Sequence, residues 1–307
     1  MDQRNLSIVE EFILIGFSDL PNLQGFLFSI FLIIYMSIIL GNGLIIILTM
    51  VAPDLKTPMY FFLGNFSFVE ICYTSVTLPR MLSDLWTQKR NINFFACATQ
   101  LCFFLILAST EFLLLTVMAY DRYVAICRPL YYPLIMNPRV CAKLVTGSWI
   151  SAIPTITALV YLIFSLPFCG PNKLNHFFCD SLPLLMVACG DTSVMEYIVY
   201  GGTVLYIMVP FLLIIRSYVK IIVIIQKLPS AIGRFKAFST CSSHLTVVIL
   251  LYGSAIITYS IPKSKASSGT EKVLSLFYTI ITPMFNPLIY SLRNKDVIAA
   301  FKKLISK

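Results

Sequence analysis

Seven long stretches of this 307-residue chain contain almost no charged residue, and this feature limits the folds that the chain can adopt. Each stretch has about 20 residues or more, which is enough for an α-helix to cross a bilayer at 1.5 Å rise per residue. Two stretches contain one acid each, Glu70 and Glu111, and the others contain none. Flanking charges bound them at residues 19–54, 56–80, 90–121, 143–173, 196–216, 236–263 and 272–293.

The pattern predicts an all-α membrane protein, a seven-transmembrane helix bundle that spans residues 24–292. The connecting loops are short, so no second domain is expected. Residues 1–23 form a leading segment, and residues 293–307 form a tail in which apolar side chains share one helical face and lysines lie off it. This spacing predicts a short amphipathic helix on a lipid surface. The predicted helices are approximately 24–50, 58–82, 92–121, 144–165, 197–224, 237–260 and 273–292.

Composition agrees with this fold class. Hydrophobic residues make up 58% of the chain and charged residues 12%, whereas soluble domains carry about 25% charged residues. A soluble globular domain is therefore excluded. The net charge of +9 reflects an excess of lysine and arginine, which multi-pass membrane proteins carry on their cytoplasmic side. No nucleic-acid partner is therefore expected.

The distribution of lysine and arginine predicts the orientation in the membrane. With the N-terminus outside, 15 of the 23 cations fall in the inner segments. Cytoplasmic loops carry this excess in multi-pass proteins, so the N-terminus is expected outside and the C-terminus in the cytoplasm. The acidic, polar start argues against a cleavable signal peptide. Asn5 begins an Asn-Leu-Ser sequon on the outer side, which predicts glycosylation.

Four of the nine cysteines fall in predicted outer segments, where the compartment is oxidising. Cys97 lies at the outer start of the third helix, and Cys169, Cys179 and Cys189 lie in the long loop before the fifth. A Cys97–Cys179 bridge would tie the third helix to this loop, with Cys169–Cys189 as the remaining pair. The sequence alone leaves the pairing open. The other five are expected to be free thiols.

Five motifs occur in order along the chain. Pro58–Leu63 (PMYFFL) opens the second helix, and Met118–Cys127 (MAYDRYVAIC) ends the third. Ser217-Tyr218 lies late in the fifth, and Lys236–Leu245 (KAFSTCSSHL) opens the sixth. Pro283–Asn294 (PMFNPLIYSLRN) ends the seventh. Together they resemble the vertebrate olfactory receptor family of rhodopsin-like G-protein-coupled receptors, and the resemblance covers essentially the whole chain.

The resemblance implies an odorant receptor that activates a stimulatory, olfactory-type heterotrimeric G protein and raises cyclic AMP. It implies that Arg122 faces the G protein in the active state, and Asp121 beside it can pair with it at rest. The plasma membrane, in the cilia of olfactory sensory neurons, is the expected location. The residues expected in coupling and activation are Asp121, Arg122, Tyr123, Tyr218, His244, Asn286, Pro287 and Tyr290.

Two acids at membrane depth form a second candidate site. Ionisable groups inside a membrane usually face the bundle interior and have a function. Glu111 and Arg122 are separated by about three helical turns, so they lie on nearly one face of the third helix. The resemblance supports a sodium site at Glu70, Glu111, Asn42 and Asn286, and no other cofactor is expected. A pair of protonated structural acids is the alternative.

The ligand is expected in the outer half of the bundle, again by resemblance. The candidate lining is apolar and aromatic, with a few hydroxyl groups and no charge. Such a pocket favours a small, neutral, mostly hydrophobic volatile molecule held by one or two hydrogen bonds. The candidates are Phe104, Leu105, Ala108, Ser109, Gly202, Thr203, Tyr206, Tyr252, Ala255, Ile256, Tyr259, Leu276 and Thr279.

Other functions fit the sequence less well. The seventh helix lacks the lysine of an opsin, and residues 91–110 lack the acid of an amine receptor. A transporter would have inverted repeats and interrupted helices, which the sequence does not show. Two histidines and no paired catalytic motif argue against an enzyme. The same receptor acting outside the nose on another small ligand remains an alternative.

Overall fold

The computed structural model describes residues 9–169, 172–227, 229–260, 268–292 and 294–305. Within these ranges, seven helical segments are long and apolar enough to cross a membrane, which confirms the predicted fold class. We refer to them as the first to seventh spans. The first four are single helices, at Gln24–Val51, Pro58–Thr87, Phe94–Cys127 and Pro138–Phe164. The sixth is Ala231–Ser260.

Several helices extend beyond the predicted ends. The third span continues past Asp121 to Cys127, and the fourth begins at Pro138, where the side chain of Asn137 accepts a hydrogen bond from Val140 N at 3.0 Å. The prediction used charged residues as boundaries. Helical hydrogen bonding continues beyond the apolar layer into water, so the first charge marks the membrane edge and not the helix end.

The fifth and seventh spans each contain one π-helical turn. The fifth consists of Ser193–Thr203, the π turn Val204–Met208 and Val209–Gln226. The seventh consists of Ser268–Leu276, the π turn Phe277–Ile281 and Thr282–Leu292.

Both π turns precede a proline, Pro210 or Pro283. Proline has no amide hydrogen, so the carbonyl group four residues earlier, at Tyr206 or Thr279, loses its helical donor. The wider turn reorganises the hydrogen bonds at this point.

A small β-sheet closes the outer end of the bundle, and the sequence did not predict it. Strand β1 (Glu11–Leu14) lies between β2 (Asn91–Asn93), antiparallel to it, and β3 (Lys173–Leu174), parallel to it. Phe12 and Leu14 are buried and alternate with the exposed Glu11 and the half-buried Ile13. The segment before the first span therefore packs onto the bundle as part of the fold.

Two disulfides and one ion pair hold this outer cap. The structure joins Cys97 to Cys179 and Cys169 to Cys189, with Cα–Cα distances of 5.6 and 5.8 Å. Lys272, at the outer end of the seventh span, donates a hydrogen bond of 2.9 Å to the carbonyl of Gly16 and lies 3.7 Å from a carboxylate oxygen of Asp19. The leading segment is thus tied to the outer end of the bundle at two places, the sheet and the seventh span.

The predicted amphipathic tail is the helix Lys295–Ile305, which begins just after the seventh span. Val297 and Ala300 are buried against the bundle, and the Tyr60 hydroxyl donates to side-chain oxygens of Asn294 and Asp296 at 3.1 and 3.0 Å. Phe301 and Leu304 remain exposed on the tail helix. One part of the apolar face therefore holds the tail to the bundle, and the rest is available to lipid.

Candidate ligand cavity and signalling site

A cavity lies between the third, fifth, sixth and seventh spans, with a volume of about 70 Å³. Residues from both π-helical segments, Tyr206 and Tyr278, form part of its wall. Eight of the thirteen predicted ligand-binding residues line it: Phe104, Leu105, Ala108, Ser109, Gly202, Thr203, Tyr206 and Ala255.

The structure does not bring the other predicted ligand-binding residues to this cavity. Tyr252 lies below it, with its hydroxyl donating to the Phe112 carbonyl at 2.8 Å. Thr279 is buried and bonds to the Ser275 carbonyl of its own helix. Ile256 and Leu276 pack on the apolar core without lining the cavity, and the side chain of Tyr259 lies outside the described residues.

Several cavity residues were missed by the sequence analysis. Tyr73 comes from the second span, which the analysis assigned only to the polar site, and its ring lies 5.2 Å from that of Phe104. Its spacing of three residues from Glu70 places both on one helix face, and this signal could have identified it. The other missed lining residues are Phe112, Ile156, Leu159, Ser181, Val199, Ile207, Leu251 and Tyr278.

The outer loop supplies the roof over this region. The ring of Phe178 lies 4.6 Å from that of Phe104, and Cys179 N donates to the Gln100 side chain at 3.0 Å. The adjacent His176 is buried, and burial lowers its pKa to about 3. The imidazole is therefore neutral at physiological pH, and its Nδ1 accepts a long hydrogen bond of 3.4 Å from Phe178 N.

Glu111 also lines the cavity, which differs from the prediction of a charge-free lining. Glu111 and Glu70 are both buried, at 1% and 0% exposure. The Glu70 carboxyl group accepts a hydrogen bond from the Asn286 side chain and lies beside Glu111 and Asn42. The four predicted sodium-site residues therefore come together directly beneath the ligand cavity.

This polar site contains several oxygen atoms that no described residue satisfies. They are Glu70 Oε2, Glu111 Oε1, Asn286 Oδ1 and the hydroxyl oxygen of Ser67. Uncompensated buried carboxylates are expensive in free energy. Either a bound cation or protonation can offset this cost, and these oxygen groups are the ligands that a hard cation such as sodium prefers. The residues present therefore fit the predicted ion.

His244 and Tyr218 link the fifth, sixth and third spans below the polar site. His244 Nε2 donates to the Leu115 carbonyl at 3.0 Å, because a carbonyl can only accept. In the neutral ring Nδ1 is then an acceptor, and the Tyr218 hydroxyl donates to it at 2.8 Å. Tyr290 is buried nearby in the seventh span, and its hydroxyl has no partner among the described residues.

Asp121 and Arg122 form a closed ion pair at the inner end of the third span. Asp121 Oδ2 accepts from Arg122 Nη2 at 2.7 Å and from Nε at 3.1 Å. Its other oxygen accepts from the Tyr132 hydroxyl at 2.8 Å. Burial raises the pKa of Tyr132, and neighbouring Asp121 raises it further, so this hydroxyl stays protonated and can donate. The sequence analysis missed Tyr132.

The remaining predicted coupling residues lie at two other places. Tyr123 is half-buried on a different face of the third span, with Lys220 Nζ 5.6 Å from its ring centroid. Pro287 lies inside the last helix of the seventh span, where a Cβ atom added at Gly41 would come within 2.9 Å of it. Glycine thus allows the first and seventh spans to approach closely at this proline.

The third span connects all of these features. Phe104 and Ala108 line the cavity, Glu111 lies at its floor, and Arg122 follows about 16 Å further inward at 1.5 Å per residue. A change in the cavity can therefore reach the inner ion pair through one continuous helix and the side chains packed on it. This arrangement suits a receptor that transmits a ligand signal across the membrane.

Comparison with known proteins agrees with the motifs. A sequence model of the olfactory receptor family matches residues 31–307. Olfactory receptor 10AG1 of Homo sapiens is 59% identical over 297 residues, which cover 97% of this chain and 99% of the relative. Olfactory receptor 10A4 of Homo sapiens is 52% identical over 304 residues, covering 99% and 96%. Olfactory receptor 5AR1 of Mus musculus is 48% identical over 307 residues, covering 100% and 99%. The chain belongs to the olfactory receptor family, and is therefore a multi-pass membrane receptor and not an enzyme.

Proposed function

We propose that this receptor binds a small, neutral, mostly hydrophobic volatile ligand and activates a stimulatory, olfactory-type heterotrimeric G protein, raising cyclic AMP. One observation carries the proposal: the ligand cavity, the buried Glu111 and the Asp121–Arg122 pair follow one another along the third span. Aromatic and aliphatic side chains dominate the cavity wall, and they favour an apolar ligand.

The closed ion pair supports a resting state in which Arg122 is withheld from the G protein. The cavity of about 70 Å³ is smaller than an odorant of roughly ten heavy atoms, so side chains must move when such a ligand binds. A ligand that binds the widened cavity more tightly shifts the population towards the active state. The π turns that contain Tyr206 and Tyr278 are suited to this movement, because their hydrogen bonds already depart from the α-helical pattern.

We propose that sodium binds at Glu70, Glu111, Asn42 and Asn286 and favours the resting state. The unsatisfied oxygens of this site support the proposal. A cation that bridges the second, third and seventh spans would resist their rearrangement during activation. The site lies directly below the ligand cavity, so a ligand that displaces Glu111 would also weaken ion binding.

The proposed orientation places the N-terminus outside and the C-terminus in the cytoplasm, in the ciliary plasma membrane of olfactory sensory neurons. Both disulfides lie at the end of the bundle opposite Arg122, and disulfides persist in oxidising outer compartments. This agrees with the excess of lysine and arginine at the other end. Glycosylation at Asn5, which lies outside the described residues, would occur on the same outer side.

A cyclic AMP reporter in cells tests the function directly. A panel of neutral volatile compounds should contain activators, and Arg122→Gln should abolish their effect while surface display stays near that of the wild type. Arg139→Gln, an exposed cation at the start of the fourth span, is the matched control and should signal normally. Odorant-driven cyclic AMP that is equal in the Arg122 variant and the wild type would refute the assigned role.

A further inference from the structure

A second, larger concavity lies on the outside of the bundle, between the inner ends of the third, fourth and fifth spans. Its volume is about 480 Å³, and we call it the cationic groove. It is separate from the ligand cavity and from the Asp121–Arg122 pair. The residues that line it are Thr116, Val117, Tyr120, Tyr123, Arg128, Leu144, Leu213, Arg216, Ser217 and Lys220.

Three cations, Arg128, Arg216 and Lys220, face this groove, and no acidic residue lines it. Among the described residues, none of the three lies within 4.0 Å of a carboxylate oxygen, whereas Arg80, Arg122 and other described cations do. Lys220 instead lies over the ring of Tyr123. The groove therefore has an uncompensated charge of three cations, which favours an anion.

The groove has a polar part and an apolar part. Arg128 is the C-cap residue just after the third span, and Thr116 lies twelve residues earlier, about 18 Å deeper in the helix. Val117, Leu144 and Leu213 form the apolar surface away from Arg128. Leu213 is 47% exposed on the lateral surface of the bundle, which acyl chains surround in a membrane. The groove therefore matches a molecule with an anionic head and an apolar chain.

We propose that the cationic groove binds an anionic phospholipid of the cytoplasmic leaflet, with its phosphates at Arg128, Arg216 and Lys220 and the start of an acyl chain on the leucines. This inference rests on the orientation proposed above, which places the groove at the inner leaflet. Three cations neutralise more than one negative charge, so a headgroup with several phosphates binds more tightly than one with a single phosphate. The hydroxyl group of Tyr120 can donate to a phosphate oxygen, whereas that of Ser217 already donates to the Leu213 carbonyl at 2.9 Å.

A lipid fits this groove better than an acidic protein segment does. The groove opens sideways, towards the acyl chains, and its exposed neighbours Leu212, Leu213 and Val219 are apolar. An acidic peptide in this place would be surrounded by lipid with its own backbone groups unsatisfied. Lipid is already present at high local concentration there, and only its headgroup has to be selected.

Binding can be measured on the purified full-length receptor, without odorant or G protein. The probes are dioctanoyl phosphatidylinositol 4,5-bisphosphate, dioctanoyl phosphatidylserine, dioctanoyl phosphatidylcholine and inositol 1,4,5-trisphosphate. The bisphosphate lipid should bind most tightly, phosphatidylcholine should not compete, and the chain-free trisphosphate should bind more weakly. Trisphosphate binding as tight as that of the lipid would show a site for soluble phosphates and overturn the proposal.

Two double variants distinguish specific binding in the groove from non-specific attraction by the positive charge of the inner surface. Arg216→Gln with Lys220→Gln should weaken binding of the bisphosphate lipid by about 30-fold, which is about five-fold for each cation. Arg139→Gln with Lys302→Gln removes the same charge from other exposed inner positions and should change binding less than about three-fold. Equal losses in the two double variants would overturn the proposal.

A third variant tests the apolar part and guards against a folding defect. Leu144→Trp fills the groove below the cations, so it should reduce lipid binding while trisphosphate binding is kept. Lipid binding that stays at the wild-type level in this variant would show that the leucine wall does not hold a chain and would overturn the proposal. Since these measurements need no signalling, a negative result here leaves the odorant-receptor proposal intact, and a failed cyclic AMP assay leaves this one intact.

Discussion

Asp121→Asn should raise signalling in the absence of ligand. Asp121 is fully buried and accepts two hydrogen bonds from Arg122, at 2.7 and 3.1 Å, and one from Tyr132 at 2.8 Å. Asparagine has nearly the same shape but no charge and only one side-chain oxygen. If this oxygen still accepts the hydrogen bond from the Tyr132 hydroxyl, the amide NH2 group faces Arg122 and neither hydrogen bond from the arginine forms.

The magnitude follows from these contacts. A hydrogen bond to a charged group contributes about 1.5–3 kcal/mol, and two are lost, but a freed arginine at the membrane edge regains water. A net loss of about 2–3 kcal/mol in the resting state is a reasonable estimate, and it raises the ratio of active to resting receptor by about 30- to 150-fold. Starting from about 1% active receptor, the active fraction would reach about 25–60%.

The assay is ligand-free cyclic AMP, normalised to receptor at the cell surface. Asp54→Asn is the matched control, because Asp54 also forms an inner ion pair, with Lys303, but is exposed to water. Such exposed pairs contribute little, so this variant should signal at the wild-type level. Basal cyclic AMP that is equal in the two variants would refute the view that the Asp121–Arg122 pair holds the resting state.

Three further predictions follow from the cavity, the polar site and the outer loop. Ala255→Leu fills the small cavity and removes space for the ligand, so it should raise the odorant concentration that gives a half-maximal response by at least about ten-fold. Gly253→Leu on the same helix is the control and should leave this concentration unchanged, because a Cβ atom added there meets nothing within 4 Å. Equal responses of the two variants would exclude this cavity as the ligand site. Glu111→Gln should remove sodium dependence of basal cyclic AMP, and an unchanged salt response would count against the ion site. The pKa of His176 is about 3 in the folded receptor and 6.5 in the unfolded chain, so only the unfolded state binds a proton between these values. The free energy of unfolding therefore falls by about 1.4 kcal/mol per pH unit as the pH drops below about 6.5. Thermal unfolding of the receptor in lipid nanodiscs at pH 7.5 and 5.5 measures this loss, which His176→Gln should reduce; an equal loss in the variant would contradict the assignment.

Most of the cavity wall on the third span could be predicted, because its residues follow from the spacing to Glu111 on one helix. The opposite wall was predicted less well. Tyr252 was expected in the cavity but bonds to the Phe112 carbonyl below it, and Tyr278 was missed. The π turn Phe277–Ile281 changes the rotation of the seventh span, so ideal helical spacing selected Leu276 and Thr279 there instead of Tyr278. Tyr252 lies on the sixth span, where spacing gave no measure of its depth relative to the cavity.

Contacts between distant segments were also beyond the sequence analysis. The strand Glu11–Leu14 is only four residues long, and it pairs with residues 91–93 and 173–174. Its alternation of exposed and buried residues is too short to distinguish from chance. Tyr132 begins the four-residue helix Tyr132–Ile135 between the third and fourth spans, which is too short to show a period, so its bond to Asp121 depends on how this segment packs against the third span.

The sequence alone is enough to establish that the chain crosses a membrane seven times, because exclusion of charge from hydrocarbon is a property of each segment taken separately. It also determined the family, through motifs that need no three-dimensional arrangement to be recognised. Which side chains meet depends on how the helices pack, as for Glu70 and Asn286, which are 216 residues apart in the chain and hydrogen-bonded in the fold. Lipid is as apolar as the bundle interior, so hydrophobic periodicity does not reveal which face of each helix turns inwards, and only the packing of helix against helix sets that rotation.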